Sequence, residues 1–283
     1  MRHWQLRNSL WQIPPQGAII GILNVTPDSF SDGGLHNSLH AALLHAEKLL
    51  ADGAHIIDIG GESTRPGSSP VPIQTEIQRT IPVISAIKHN FPNALISIDT
   101  RNPEVAREAL LAGADIINDI SGLASPLMRN LCAQSSCGII LMHMQGDPLT
   151  MQLNPHYSDV VSEVRDFFRS RVDIAEQCGI SPSRICLDPG IGFGKSTQHN
   201  LELISHLSEL RYRNLPLLMA LSRKRFLGDL LHNPNLPKIS PIPTVTMSII
   251  SALNGADLHR VHDVAPLAHA LSLLHSACFF QKN

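Results

Sequence analysis

The sequence predicts a single-domain α/β protein, a closed (β/α)8 barrel of the TIM type, and three observations carry that prediction. First, one phrase recurs: Gly53-Ala-His-Ile-Ile-Asp, Gly113-Ala-Asp-Ile-Ile-Asn-Asp and Gly255-Ala-Asp-Leu-His-Arg-Val-His-Asp. In each, a glycine closes a helical stretch and an apolar strand follows. The glycines stand 60 and then 142 residues apart, room for two and then four units of about 30–40 residues, the length of a βα unit. Second, near-continuous apolar strands alternate with helical patterns, as in a parallel sheet covered on both faces. Third, no Gly/Ser linker or break in composition divides the 283 residues, and eight repeats in about 250 residues suit a closed barrel better than the doubly wound alternative.

Taken in order, residues 1–17 (MRHWQLRNSLWQIPPQG) precede the first strand. Their two tryptophans and Pro14-Pro15 suit a segment that caps the bottom of the barrel. Strands are expected near 19–24 (IIGILN), 55–59 (HIIDI), 94–99 (ALISID), 115–119 (DIIND), 138–143 (GIILMH), 184–188 (RICLD), 216–221 (PLLMAL) and 257–262 (DLHRVH). Helix ends are marked between them. Ser38 precedes LHAALLHAEKLL, which Gly53 closes, and Asn102-Pro103 supplies an N-cap and first-turn proline for EVAREALLAG.

Composition excludes several classes. A net charge of -2 gives no basic excess for holding a nucleic-acid backbone. No run of 18 apolar residues occurs and the first residues lack a secretory apolar core, so no membrane partner and a cytoplasmic location are expected. Five cysteines, odd in number and without a C-x-x-C pair, read as reduced packing residues.

In such a barrel the chemistry gathers at the carboxyl ends of the strands. Here those ends are polar: Asn24, Asp99, Asn118-Asp119, His143 and Asp188, then Ser222 and Lys224 after the seventh strand. A period of two places Arg260 and His262 on one face of the eighth. Asp99, Asn118 and Asp188 are acceptors suited to a flat heterocycle edge bearing several N–H groups. Arg65, Lys224, Arg260 and His262 are donors suited to phosphate or carboxylate, and Ser222 reads as an N-cap whose helix offers N–H groups to an anion. DPGIGFGKS (188–196) misses the phosphate-loop pattern, because Pro189 stands where its first glycine belongs. The loops VTPDSFSDGG (25–34) and GGESTRPGSSP (60–70) are long enough to close over the rim. Lys195 reads equally as a site residue or a solvated loop lysine, His143 as a satisfied strand-end histidine, and Asp58 and Glu62 as hydrogen-bond partners of the glycine loop.

GILNVTPDSFSDGG (21–34), DIGGESTRPGS (58–68), INDISG (117–122), LMHMQGDP (141–148), LDPGIGFGKS (187–196), LSRKRFLG (221–228) and RVHDV (260–264) closely resemble the dihydropteroate synthases, in order over nearly the whole chain after residue 18. That resemblance implies a (β/α)8 barrel that joins para-aminobenzoate to 6-hydroxymethyl-7,8-dihydropterin pyrophosphate and releases pyrophosphate, by a route in which pyrophosphate leaves first. It implies that Asp99, Asn118, Asp188 and Lys224 hold the pterin, with Ile120 and Met142 against its ring. Asn24, Arg65, Arg260 and His262 would hold the pyrophosphate, with Asn24 and Asp32 near its Mg2+. Phe30, Thr64, Pro66, Phe193 and Ser222 would form the para-aminobenzoate pocket. Arg65, Lys224, Arg260 and His262 would carry the catalysis, and the assembly would be a homodimer. ISPIPTVTM (239–247) departs from the family pattern, which leaves the loop path and oligomer contact there open. The rival readings are a methyltetrahydrofolate-dependent methyltransferase barrel, a Schiff-base aldolase using Lys195 or Lys224, and an inactive barrel that serves as a binding partner.

Overall fold

The computed structural model describes residues 2–7, 9–26, 34–63 and 70–280. A hairpin, β1 (His3–Leu6) and β2 (Ser9–Gln12), comes first. Eight barrel strands follow: β3 (Ala18–Asn24), β4 (Ile56–Gly60), β5 (Leu95–Asp99), β6 (Ile116–Asp119), β7 (Gly138–Met142), β8 (Ile185–Asp188), β9 (Leu218–Met219) and β10 (Leu258–Val261). All run parallel, each beside its neighbour in sequence, with β10 beside β3. The ring closes where Leu187 of β8 bridges Leu217 just before β9, and Leu187 N–H donates to the Pro216 carbonyl at 2.9 Å. The eight expected strands are thus present, the seventh pared to two residues.

Helices cover the ring: α1 (Gly34–Ala51), α2 (Ile73–Asn90), α3 (Pro103–Ala112), α4 (Pro126–Gln134), α5 (Val160–Gln177), α6 (Thr197–Ser205), α7 (Arg225–Leu230), α8 (Leu236–Ile239), α9 (Ile242–Leu253) and α10 (Val264–Phe280). Helix α1 starts upstream of the expected Ser38. The atypical 239–247 segment is built into α8 and α9, and Thr244 there is buried and accepts the Arg223 N–H at 3.2 Å. No described helix is long and apolar enough to cross a membrane.

The recurring Gly-Ala phrase is one backbone device used three times. Gly53, Gly113 and Gly255 have φ of 103°, 114° and 105°, and the alanine after each donates 2.9 Å back to the fifth residue before it: Ala54 to Leu49, Ala114 to Ala109, Ala256 to Ser251. This left-handed closure ends the helix and aims the chain into the next strand. Gly179 repeats it after α5, where Ile180 N–H reaches the Ala175 carbonyl at 3.0 Å, without an alanine to reveal it in sequence.

Side-chain parity divides the core in two. Ile19, Leu23, Ile57, Ile59, Ile96, Ile98, Ile117, Ile139 and Leu141 point outward and pack with helix residues such as Ala46, Ile84, Val105 and Phe168. Ala18, Ile20, Ile56, Ile116, Ile140, Cys186, Leu218 and Leu258 point inward and form a separate cluster with Trp4, Leu6 and Ile13 of the N-terminal segment. Because most of these inward residues lie at the amino ends of their strands, the hairpin packs against the bottom of the barrel. Trp4 is fully buried there, and its indole N–H donates to the Arg184 carbonyl at 2.8 Å. Of the five cysteines, Cys132, Cys137 and Cys186 are buried. Cys178 and Cys278 are exposed, which corrects the reading of all five as packing residues: each lies at or near a helix end, facing solvent.

Candidate functional site

At the carboxyl ends of the strands the inward parity turns polar. Asp58 is the middle inward residue of β4, between Ile56 and Gly60, and is fully buried. Reaching past β3, Arg260 of β10 donates through Nε to Asp58 Oδ2 at 2.6 Å and through Nη2 to Asp99 Oδ2 at 2.7 Å. Asn118 of β6 donates Nδ2 to the same Asp58 oxygen at 3.2 Å, which leaves its own carbonyl as an acceptor. Asp58 Oδ1 and Asp99 Oδ1 are buried and unpartnered. Burial pushes the Asp99 carboxyl up to about 7, against the opposing pull of Arg260, whose own pKa is raised by Asp58 and Asp99. When both carboxylates are ionised the three side chains carry one net negative charge in the mouth. Beside them Gly60 lacks a side chain that would stand 3.6 Å from Asn24 Oδ1.

The 188–196 segment forms the next wall. Asp188 closes β8, and its Oδ1 accepts the Gly190 N–H at 2.7 Å; burial raises its pKa. Gly190 has φ 65°, and any Cβ there would collide with the His143 carbonyl, so glycine is required for the chain to pass. The glycines of DPGIGFGKS therefore serve close backbone packing. Lys195 is buried rather than solvated: its Nζ meets His143 Nδ1 at 2.9 Å, the Phe193 carbonyl at 3.0 Å and the Gly190 carbonyl at 3.1 Å. Burial draws the Lys195 ammonium down to about 7, while three acceptors match its three N–H groups and favour the charged form. His143, held against that ammonium and buried, is drawn down to about 2. Ile120, Met142 and Phe193 share one small apolar cluster with Met151, and Lys224 Nζ stands 4.1 Å above the Phe193 ring.

Ser222 and His262 meet: Ser222 Oγ lies 2.9 Å from His262 Nδ1 and accepts the His262 backbone N–H at 3.1 Å. The sequence shows no such serine–histidine contact, because the two residues end different strands. Glu62 accepts the Val71 N–H and pairs with Arg101, both at 3.2 Å, which ties together the two ends of the second loop. Phe30, Asp32, Thr64, Arg65 and Pro66 lie outside the described residues. Of the remaining candidates, Asn118 and Arg260 are joined through Asp58 and Asp99 through Arg260, while Ile120, Met142, Phe193 and Lys224 line one wall. Asp58 is a correction: it pairs with Arg260 and Asn118, not with the glycine loop, because its parity aims it into the barrel. Among the described residues no group of three or more His, Cys, Asp or Glu is placed to hold a metal. A cavity of about 790 Å³ shares Lys224 with this mouth and is lined by Arg223, Arg225, Asp229, His232 and Lys238, without Asp58, Asp99 or Asp188.

Residues 20–262 match the family profile described as "Pterin binding enzyme". The dihydropteroate synthase of Escherichia coli (strain K12) is 45% identical over 94% of this chain and 93% of its own length. That of Synechocystis sp. is 48% identical over 88% of this chain and 86% of its own. Among solved structures, the Yersinia pestis dihydropteroate synthase with a sulfonamide drug complex superimposes with a TM-score of 0.90 at 42% identity, covering 97% of this chain and 98% of that one. The Burkholderia cenocepacia dihydropteroate synthase complexed with 7,8-dihydropteroate gives 0.89 at 37%, covering 99% and 98%.

Proposed function

The chain belongs to the pterin-binding enzymes, and from that premise we propose how its barrel mouth works as a dihydropteroate synthase, the transferase that joins 6-hydroxymethyl-7,8-dihydropterin pyrophosphate to para-aminobenzoate. The observation that carries the reading is Arg260 bonded to both Asp58 and Asp99: it puts an acceptor for a ring and a cation for its diphosphate in one opening. Asp99, Asn118 and Asp188 accept the ring N–H groups, and the Ile120–Met142–Phe193 cluster packs on its face with Lys224 alongside. Arg260, His262, Asn24 and Arg65 hold the diphosphate. Ser222 and Phe193, with Phe30, Thr64 and Pro66 from the loops, hold the aryl amine, and the Ser222–His262 contact is where the two substrate pockets meet.

The bond between the pterin methylene and the bridging oxygen breaks with its electron pair going to pyrophosphate. The aniline nitrogen then donates its lone pair to the methylene carbon and releases a proton to pyrophosphate or solvent. Asp58 and Asp99, whose charge Arg260 offsets only in part, favour the positive ring formed in between, and the cations at the rim favour the departing anion. Mg2+ fits this site through Asn24, a hard oxygen ligand beside the space left by Gly60, with Asp32 as its expected companion; bound there it would neutralise charge on the diphosphate. A homodimer is supported by exposed Ile242 and Leu253 on α9 and Leu273 on α10, and sedimentation at micromolar concentration tests it.

Purified protein should release pyrophosphate continuously with both substrates and Mg2+ present, none without the pterin substrate, and at most a single-turnover amount without para-aminobenzoate. Methyl transfer from methyltetrahydrofolate without pyrophosphate release would favour the rival barrel instead.

A further inference from the structure

Resting on the assignment of Asp99 to the ring and Arg260 to the diphosphate, we propose that Arg260 is a shared group pivoting on Asp58, which leaves Asp99 for the diphosphate and so makes the two halves of the substrate bind cooperatively. Arg260 is committed twice, through different nitrogens of its guanidinium. Its Nε edge is fixed to Asp58, which lies one inward residue below the rim, is fully buried, and also accepts from Asn118. Its Nη2 reaches Asp99, the last residue of β5 and paired in register with Gly60 at the rim. A ring N–H arriving alone therefore finds one Asp99 oxygen already taken. A diphosphate arriving beside it competes for Nη2 and can replace Asp99 without disturbing the bond to Asp58. The released carboxylate then offers both oxygens to the ring, including the buried Oδ1 that has no hydrogen-bond partner within the protein. By linkage each ligand must strengthen the other by the same factor.

Asp58 is on this view a positioning residue: it touches neither ring nor anion, and acts by keeping the guanidinium in reach of both. Without its charge Arg260 has Asp99 as its remaining close carboxylate, and the exchange is lost. Calorimetric titration of the full chain at constant Mg2+ tests this, with 6-hydroxymethylpterin lacking phosphates as one probe and inorganic pyrophosphate as the other. In the unsubstituted protein saturating pyrophosphate should tighten pterin binding by about fivefold or more, within the usual span of coupling between sites. In Asp58→Asn, which preserves shape, both probes should still bind while that factor falls below about twofold. Independent binding of the two probes to the unsubstituted protein would overturn the exchange without recourse to any variant. Full coupling in Asp58→Asn would overturn the role given to Asp58. If pterin does not bind, or binds Asp188→Asn as well as the unsubstituted protein, the site assignment fails and not merely the coupling.

Discussion

Truncating Arg260 to alanine probes the mouth through stability as well as turnover, because the one guanidinium pairs with two carboxylates at once. In the native chain it lies 2.6 Å from Asp58 and 2.7 Å from Asp99, with side chains 18%, 0% and 10% exposed respectively. Removing one partner of a buried pair costs about 3–5 kcal/mol, a large part of a total stability of about 5–15 kcal/mol. The sequence alone suggests lost turnover on an intact fold; the structure adds this penalty. Its pH dependence has a definite sign. Asp99 already has a raised pKa of about 7, and loss of Arg260 raises it further. A carboxyl raised in the folded state favours folding when protonated; that contribution is complete below its unfolded value and is lost as pH climbs through the folded one. The deficit of Arg260→Ala should therefore be smallest near pH 5.5 and grow above pH 7. Urea unfolding followed by circular dichroism at pH 5.5, 7 and 8.5 measures it. The paired variant Asp58→Asn with Arg260→Met should recover more than half the loss while pyrophosphate release stays absent in both. A deficit below about 1 kcal/mol at pH 8.5, or one that is flat with pH, would refute the buried-pair account.

Three further outcomes follow from the geometry. His143 is depressed to about 2, first by burial and then by Lys195, so its contribution is present above about pH 6.5 and drains as pH falls, by about 2 kcal/mol between pH 6.5 and 4.5. His143→Gln keeps an acceptor for Lys195 without titrating, so its unfolding free energy should fall less steeply with acid; curves parallel to the unsubstituted protein would contradict this. Trp4→Ala should cost about 3–5 kcal/mol in urea unfolding, as for a fully buried tryptophan whose N–H is bonded, and a loss under about 1 kcal/mol would remove the hairpin from the core. Gly190→Ala forces a left-handed backbone worth about 1–2 kcal/mol before its collision with the His143 carbonyl. Its kcat/KM for the condensation should fall at least about tenfold, and an unchanged value would show the loop to be indifferent to that turn.

The barrel was legible because its signals are local. Gly-Ala closures punctuate the chain, and apolar runs of five or six residues, such as IIGILN, HIIDI and PLLMAL, fill the intervals. Parity alone put Arg260 and His262 on one face. What escaped is non-local. Nothing in IIDIG says that Asp58 meets Arg260, 202 residues on, because that depends on closing the ring. Lys195 looks like a solvated lysine until the glycine turns fold its amine back onto His143. Asn102 sits at the expected N-cap, yet its side chain leaves the helix and donates to Glu76 Oε2 at 2.6 Å, since a buried carboxylate attracts it more than the first turn does. Ser222 and His262 show their contact only once β9 and β10 are neighbours.

The way the ring closes has a mechanical consequence. Along β3–β4–β5 each stave is laced to the next over five residues, whereas β9 meets β10 through Leu218 and Met219 and meets β8 through the Leu187–Leu217 bridge. Asp99 thus rides on a stiff arc, while Ser222 and Lys224 hang just beyond the slackest stave. On the proposed assignment of the site, grip on the heterocycle's Asp99 edge is set by the better-laced wall, and accommodation of different aryl amines falls to the side of the barrel with fewer ladder bonds.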